Sequence, residues 1–338
     1  MYLEKDTGMH RRHLLGLVAA APLSALPLAR SRSSGVDAPP WRPSRPIRLI
    51  VPVAAGGSQD AVARILSQPM AELLGQAVLV ENLPGAAGNL GFHAVARARP
   101  DGHTLLAGSD GLSINKSLFP SLGFDPVEGF AAVSWVARVP QILVARADRP
   151  WAEEGIAAFL RDARRQAPTV GTTGVGSLAH LLGEEIQEAT GIRWIHVPYR
   201  GGAPAVTDLL AGTIDAALVN IGAASGQVRA GTLRGLFVSS AQRVAAVPEV
   251  PAMIETGPLH EAVVGWHGIV ARVGTNPVIL ATLGAAVQAI LARPEVAARL
   301  TALGVEPVAE PPERLAALIR SDAERWGAVI RRARIAPV

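Results

Sequence analysis

The sequence contains no cysteine, which removes disulfide frameworks, thiolate catalysis and Cys-ligated zinc together. Packing alone must hold the fold. Lysine is nearly absent as well: Lys5 and Lys116 are the only two, so the 32 basic residues are almost all arginine, set against 28 acidic ones. The net charge of +4 and the lack of a clustered Arg/Lys stretch after residue 40 argue against nucleic acid as a partner. Recognised phosphate and catalytic motifs are missing too. There is no Gly-x-x-x-x-Gly-Lys-Ser/Thr loop, no complete dinucleotide fingerprint, no His-Glu-x-x-His and no Gly-x-Ser-x-Gly elbow. His93, His103, His180, His196, His260 and His267 show no metal-ligand spacing, so neither metal nor cofactor is expected, and no catalytic set is assembled.

Long apolar runs are also lacking. The nearest, Leu14 to Ala29, is broken by Pro22 and Pro27 and falls short of the roughly 18 residues that suggest a membrane span. It follows Arg11-Arg12-His13 and leads into a polar stretch from Arg30 to Pro40. That order is the basic region, apolar region and exit of an export signal, by the twin-arginine or the Sec route. Pro27-Leu28-Ala29 is the best small-residue cleavage match. Residues 1–40 are thus expected to be an export signal with a disordered leader, and the folded protein to begin near Trp41.

What is present is a strand–loop–helix alternation. A continuous apolar run, Ile47 to Val53, has the composition of a buried parallel strand. Glycines follow it, then a helix with Val62, Ile65, Leu66, Leu73 and Leu74 at helical spacing; Pro69 should kink or split that helix. Further strands are expected at 78–81, 104–108, 142–145, 169–172, 194–197, 214–219, 233–238 and 266–271, with helices ending near Arg97, Glu188 and Leu210, one at 156–164, and two more at about 277–292 and 312–332. The chain length of 338 residues suits two α/β lobes, each a mostly parallel doubly wound sheet. The expected division is 41–139 with 264–338 in one lobe and 140–263 in the other.

One device occurs twice. Gly56-Gly57-Ser58 and Gly174-Val175-Gly176-Ser177 each carry a strand into a helix that opens with serine. A helix N-terminus presents unpaired N–H groups and the positive end of its dipole, and glycine lets a ligand approach the backbone. Each loop is therefore either an anion nest or a turn that simply closes a βα unit. With no P-loop lysine, a small carboxylate suits the pair better than a nucleotide. Asp60 either orients its loop or caps N–H groups. His180 is either a structural hydrogen-bonding residue or a ligand contact, and Tyr199-Arg200-Gly201-Gly202 either faces the cleft or is solvated.

An ordered series of motifs now resembles one family. Pro46 to Pro52 with Ala55-Gly56-Gly57-Ser58-Gln59-Asp60, Val80-Glu81-Asn82, Pro84 to Asn89, Pro100-Asp101-Gly102-His103-Thr104, Gly174 to Ser177 with His180-Leu181, His196 to Gly201, Asp208 to Gly212 and Trp266 are similar to the Bug receptors. These are the substrate-binding proteins of tripartite tricarboxylate transporters, and the resemblance covers about 41–338. It implies a two-lobed periplasmic-binding-protein fold of type II that closes like a flytrap on a di- or tricarboxylate, an acidic amino acid or an aromatic acid. It also implies a permease of one large and one small membrane subunit as partner. Carried over by position, the ligand residues are Val53, Ala54, Ala55, Gly56, Gly57, Ser58 and Asp60, with Thr173, Gly174, Val175, Gly176 and Ser177. Ser109, His180, Tyr199 and Asn220 complete the set. Three positions depart from the family's habit: Val53 replaces an aromatic residue, Thr173 a serine and His103 a tyrosine. The chain is expected as a monomer. An exported α/β enzyme acting on a small acid, or a receptor for a membrane sensor, are the alternatives; the enzyme would need a catalytic pair within hydrogen-bond reach in the cleft.

Overall fold

A computed structural model describes residues 41–336; the export-signal reading falls on residues 1–40, outside the described residues. Three strand–helix units come first: β1 (Ile47–Val51) with α1 (Ser58–Leu74), β2 (Val78–Asn82) with α2 (Asn89–Ala96), and β3 (Thr104–Ser109) with α3 (Gly111–Leu118). They precede the 17-residue β4 (Phe130–Arg146). Next come α4 (Trp151–Glu154), α5 (Ile156–Ala163), β5 (Thr169–Thr172), α6 (Leu178–Thr190), β6 (Ile195–Pro198), α7 (Gly202–Ala211), β7 (Ala216–Asn220), α8 (Ile221–Arg229) and β8 (Leu233–Val238). The chain ends with α9 (Met253–Thr256), β9 (Val264–Arg272), α10 (Pro277–Leu291), α11 (Pro294–Ala302), β10 (Glu306–Glu310) and α12 (Pro312–Arg332).

The strands run in the order β2-β1-β3-β9-β4-β7-β5-β6, with β10 and β8 also on β4. The pairs β1–β2, β1–β3, β5–β6 and β5–β7 are parallel, as the strand–helix alternation requires. Every pairing made by β4 or β9 is antiparallel. β4 is shared: residues 130–140 pair with β9, and from Gln141 the partners become β7 and β8. Pro140, which has no N–H to give a ladder, stands at that changeover.

Both faces of the first sheet are covered, which is why its strands read as unbroken apolar runs. Ile47, Leu49 and Val51 pack with α1 and α10, while Ile50 and Leu106 on the opposite face meet Phe92, Trp266 and Leu315. Pro69 does not split α1. The helix continues from Ser58 to Leu74 because Val62, Leu66, Met70 and Leu74 bury one face of it, offsetting one missing hydrogen bond.

Only Ile142–Ala145 was foreseen of β4. Its first half carries bulges between Ala132 and Ser134 and between Trp135 and Ala137, so the apolar alternation slips twice and the period-two signal is lost. α3, α8, α11 and β10 were also not foreseen.

Candidate functional site

The first glycine loop leaves β1 through the buried Pro52 and the half-buried Val53, then exposes Ala54, Ala55, Gly56 and Gly57 before α1 begins at Ser58. Gly56 has φ +90°, a conformation that requires glycine. Asp60 is buried and serves the loop itself: it accepts the Gly56 N–H at 2.9 Å, the Arg64 guanidinium at 3.0 Å and the Asn82 amide at 2.9 Å. Asn82 also donates to the Val53 carbonyl at 3.0 Å. Burial opposes the charge on Asp60, but Arg64, the Gly56 amide and Asn82 outweigh it and hold the carboxyl below its usual range. Asp60 therefore orients the loop. Among the described residues the amides of Ala54 and Ala55 have no internal acceptor.

Ser58 Oγ lies 3.0 Å from His267 Nε2 on β9, and His267 pairs across the ladder with Ser109 at the end of β3. His267 was not among the expected site residues; as one histidine in a strand it carried no spacing signal. The pair is the serine–histidine contact that an enzyme would need. Burial, however, pulls the imidazole down to about 4, and among the described residues no carboxylate partners Nδ1 to orient the ring as a base.

The second loop joins β5 to α6. Thr173 and Gly174 are half-buried, Val175 is exposed and Gly176 is buried. Gly174 and Gly176 have φ of +130° and +70°. Ser177 is the N-cap of α6: its Oγ donates to the Gly174 carbonyl at 2.8 Å and accepts the His180 N–H at 3.3 Å. His180 turns inward and accepts the Gly176 N–H on Nδ1 at 3.0 Å. The hydroxyl of Ser177, the amide of Gly176 and the ring of His180 are thus all engaged inside the loop. The amides of Thr173 and Val175 have no internal acceptor among the described residues.

The helices that the two loops open both start beside one short segment. A Cβ placed on Gly265 would come within 2.9 Å of Leu178 Cδ2 and 3.2 Å of Asp110 Oδ1, so the first residue of α6 packs two residues from His267. Ser58 reaches the same segment from α1. Asn220, the N-cap of α8, pairs with Gln141, and His267 pairs with Ala137; these β4 positions are about 13 Å apart along the strand. Tyr199 turns away towards α7, donating its phenol to Asp208 at 2.7 Å; burial and that carboxylate push it up to about 12. Among the described residues no group of three His, Asp or Glu is placed to hold a metal ion. The arrangement offers neutral backbone donors from two helix starts, suited to a small anion and not to bond chemistry.

The chain matches the description "Tripartite tricarboxylate transporter family receptor" over residues 62–335. It is similar to the periplasmic binding protein BugD, 34% identical with a TM-score of 0.77 over 87% of this chain and 99% of that one. R. palustris Rpa4515, solved with adipate, is 30% identical with a TM-score of 0.80 over 88% and 99% of the two chains. MatC (Rpa3494) from Rhodopseudomonas palustris, with bound malate, is 33% identical with a TM-score of 0.75 over 85% and 99%. The mixed α/β fold is that of the two-lobed periplasmic binding proteins. With the family matched along most of its length and this fold beneath it, the chain belongs to the tripartite tricarboxylate transporter receptors, the Bug proteins, which are solute-binding receptors and not enzymes.

Proposed function

We propose that the protein is an extracytoplasmic receptor for a small carboxylate, held between two lobes by the loops at 53–58 and 173–177 and delivered to a two-subunit membrane permease. The lobes are 41–139 with 264–338 and 140–263, and residues 1–40 are the export signal. The carrying observation is that two strand-to-helix loops with free amides open helices whose first residues, Ser58 and Leu178, both reach the Gly265–His267 segment. Hydrogen bonds to a charged acceptor contribute roughly 1.5–3 kcal/mol each. Four or five of them offset the ordering of a small ligand and reach micromolar affinity, about −8 kcal/mol. Adipate and malate on two relatives support a dicarboxylate.

The test is a thermal-shift screen after partial unfolding and dialysis, using mono-, di-, tri- and aromatic carboxylates with adipate and malate among them. A ligand that binds only the folded state raises Tm with the logarithm of its excess over Kd. A concentration-dependent rise with one acid, recovered unaltered, is expected. No rise with any carboxylate overturns the reading.

A further inference from the structure

The three residues at the middle of the second loop, Thr173, Gly174 and Val175, are fastened at both ends by histidines. Upstream, the Thr172 hydroxyl is hydrogen-bonded to His196 Nε2; downstream, the Gly176 N–H donates to His180 Nδ1 at 3.0 Å. The two imidazoles stack on each other with centroids 3.8 Å apart and planes inclined by only 6°. His196 stands on β6, opposite Val170 of β5, and His180 in the first turn of α6. The stack therefore ties three elements into a closed circuit around the loop.

The tautomer of His180 follows from its partner. A backbone N–H can only donate, so His180 Nδ1 must offer a lone pair, and the ring's single proton sits on Nε2, towards Glu184 Oε1 at 3.6 Å. A second proton on Nδ1 would set donor against donor and break the bond to Gly176. Two charged rings at this separation would also repel.

We propose that the His180–His196 stack is the positioning element of the carboxylate site: through its bonds to Thr172 and Gly176 it holds Thr173 to Val175 in the binding shape. This rests on the carboxylate-receptor reading. Glu184 is the acid that acts on both rings; Glu185 and Glu188 of the same helix are paired with Arg325 and Arg332 of α12. Burial, with the neighbouring His180, lowers His196 to about 4, against the pull of Glu184.

Two measurements decide the matter. Long-range proton–nitrogen NMR of the ligand-free protein at neutral pH should show His180 with a bare Nδ1 and a protonated Nε2; the other tautomer overturns the proposal. Affinity is then measured for whichever carboxylate in the panel gives the largest Tm rise. His180→Phe should lose at least tenfold, and His180→Asn, whose amide oxygen can accept the Gly176 N–H but which has no ring to stack on His196, should lose less than His180→Phe. His196→Phe keeps a stacked ring but drops the Thr172 bond, and covers the case in which His180→Phe does not fold; it should lose several-fold. Wild-type affinity in a folded His180→Phe or His196→Phe protein overturns the brace alone, as does a loss in His180→Asn equal to that in His180→Phe. Failure of the wild-type protein to bind any carboxylate overturns the receptor reading and the role of the brace with it.

Discussion

Ser58 Oγ and His267 Nε2 meet at 3.0 Å, joining the first turn of α1 to the middle of β9 across 209 positions of sequence. Among the described residues Nδ1 has no side-chain partner, so this is the ring's one side-chain hydrogen bond there. Ser58→Ala would orphan Nε2, at a cost of about 1–3 kcal/mol. Thermal unfolding should show Tm lower by several degrees. Adding His267→Phe removes both nitrogens at similar volume and should recover most of the loss. A Ser58→Ala protein as stable as the wild type would show that the contact carries no net stability.

The glycines of the two loops are not equivalent. Gly57 is extended, and a Cβ there meets nothing nearer than the Ala54 carbonyl at 3.8 Å. Gly176 has φ +70°, and its Cβ would lie 2.1 Å from Leu118 Cδ1. Gly57→Val should therefore unfold with the wild-type midpoint while screening the loop amides and reducing carboxylate affinity at least tenfold. Gly176→Val should lose several kcal/mol of stability, because strain and overpacking act together. Calorimetry alongside titration separates the two. Unchanged affinity in Gly57→Val would remove the first loop from the ligand.

Trp41 marks where the packed chain starts. Its ring meets His103 edge-on at 5.5 Å and lies against Gly102, and the Ser44 N–H reaches His103 Nε2 at 3.2 Å. A chain starting at Trp41 should keep the full-length Tm and carboxylate affinity. One starting at Ile47 loses these contacts and should melt several degrees lower. Equal midpoints for the two truncations would show that 41–46 add nothing.

The strand–glycine–helix units were legible because their signals are local: an apolar run, a turn residue with a particular φ, then helical spacing. β1 with α1 and β5 with α6 sit where that pattern puts them. β4 was half hidden because its two bulges break the alternation that reveals a strand. In the site, the loops could be read but their internal bonds could not. Nothing in the order Gly176, Ser177, His180 tells a ligand contact from a ring that consumes the Gly176 amide; that depends on His196, brought in from another strand. His267 was missed for the same reason, since Ser58 approaches it only in three dimensions.

Asp322 of α12 links acidity to stability. It accepts the Trp266 indole N–H at 3.2 Å, and burial together with the nearby Asp110 raises its carboxyl to about 7; Asp110 itself is raised by burial to about 6. In the unfolded chain an aspartate titrates near 3.9. Between those values the folded state binds more protons, so this contribution is complete below the unfolded pKa and is lost as pH rises through about 7. Asp322→Asn fixes the neutral form, keeps an acceptor for Trp266 and lets Asp110 ionise more easily. At pH 8 the variant should be more stable than the wild type by roughly 2–4 kcal/mol, and the advantage should vanish near pH 4. His196 and His267, both lowered to about 4 by burial, act in the other direction: each costs stability as pH falls from about 6.5. The wild-type profile mixes the two effects, and only the difference between variant and wild type isolates Asp322. Denaturant unfolding of both proteins from pH 4 to 8 checks it; a difference independent of pH would mean that Asp322 is already charged in the folded protein at acid pH.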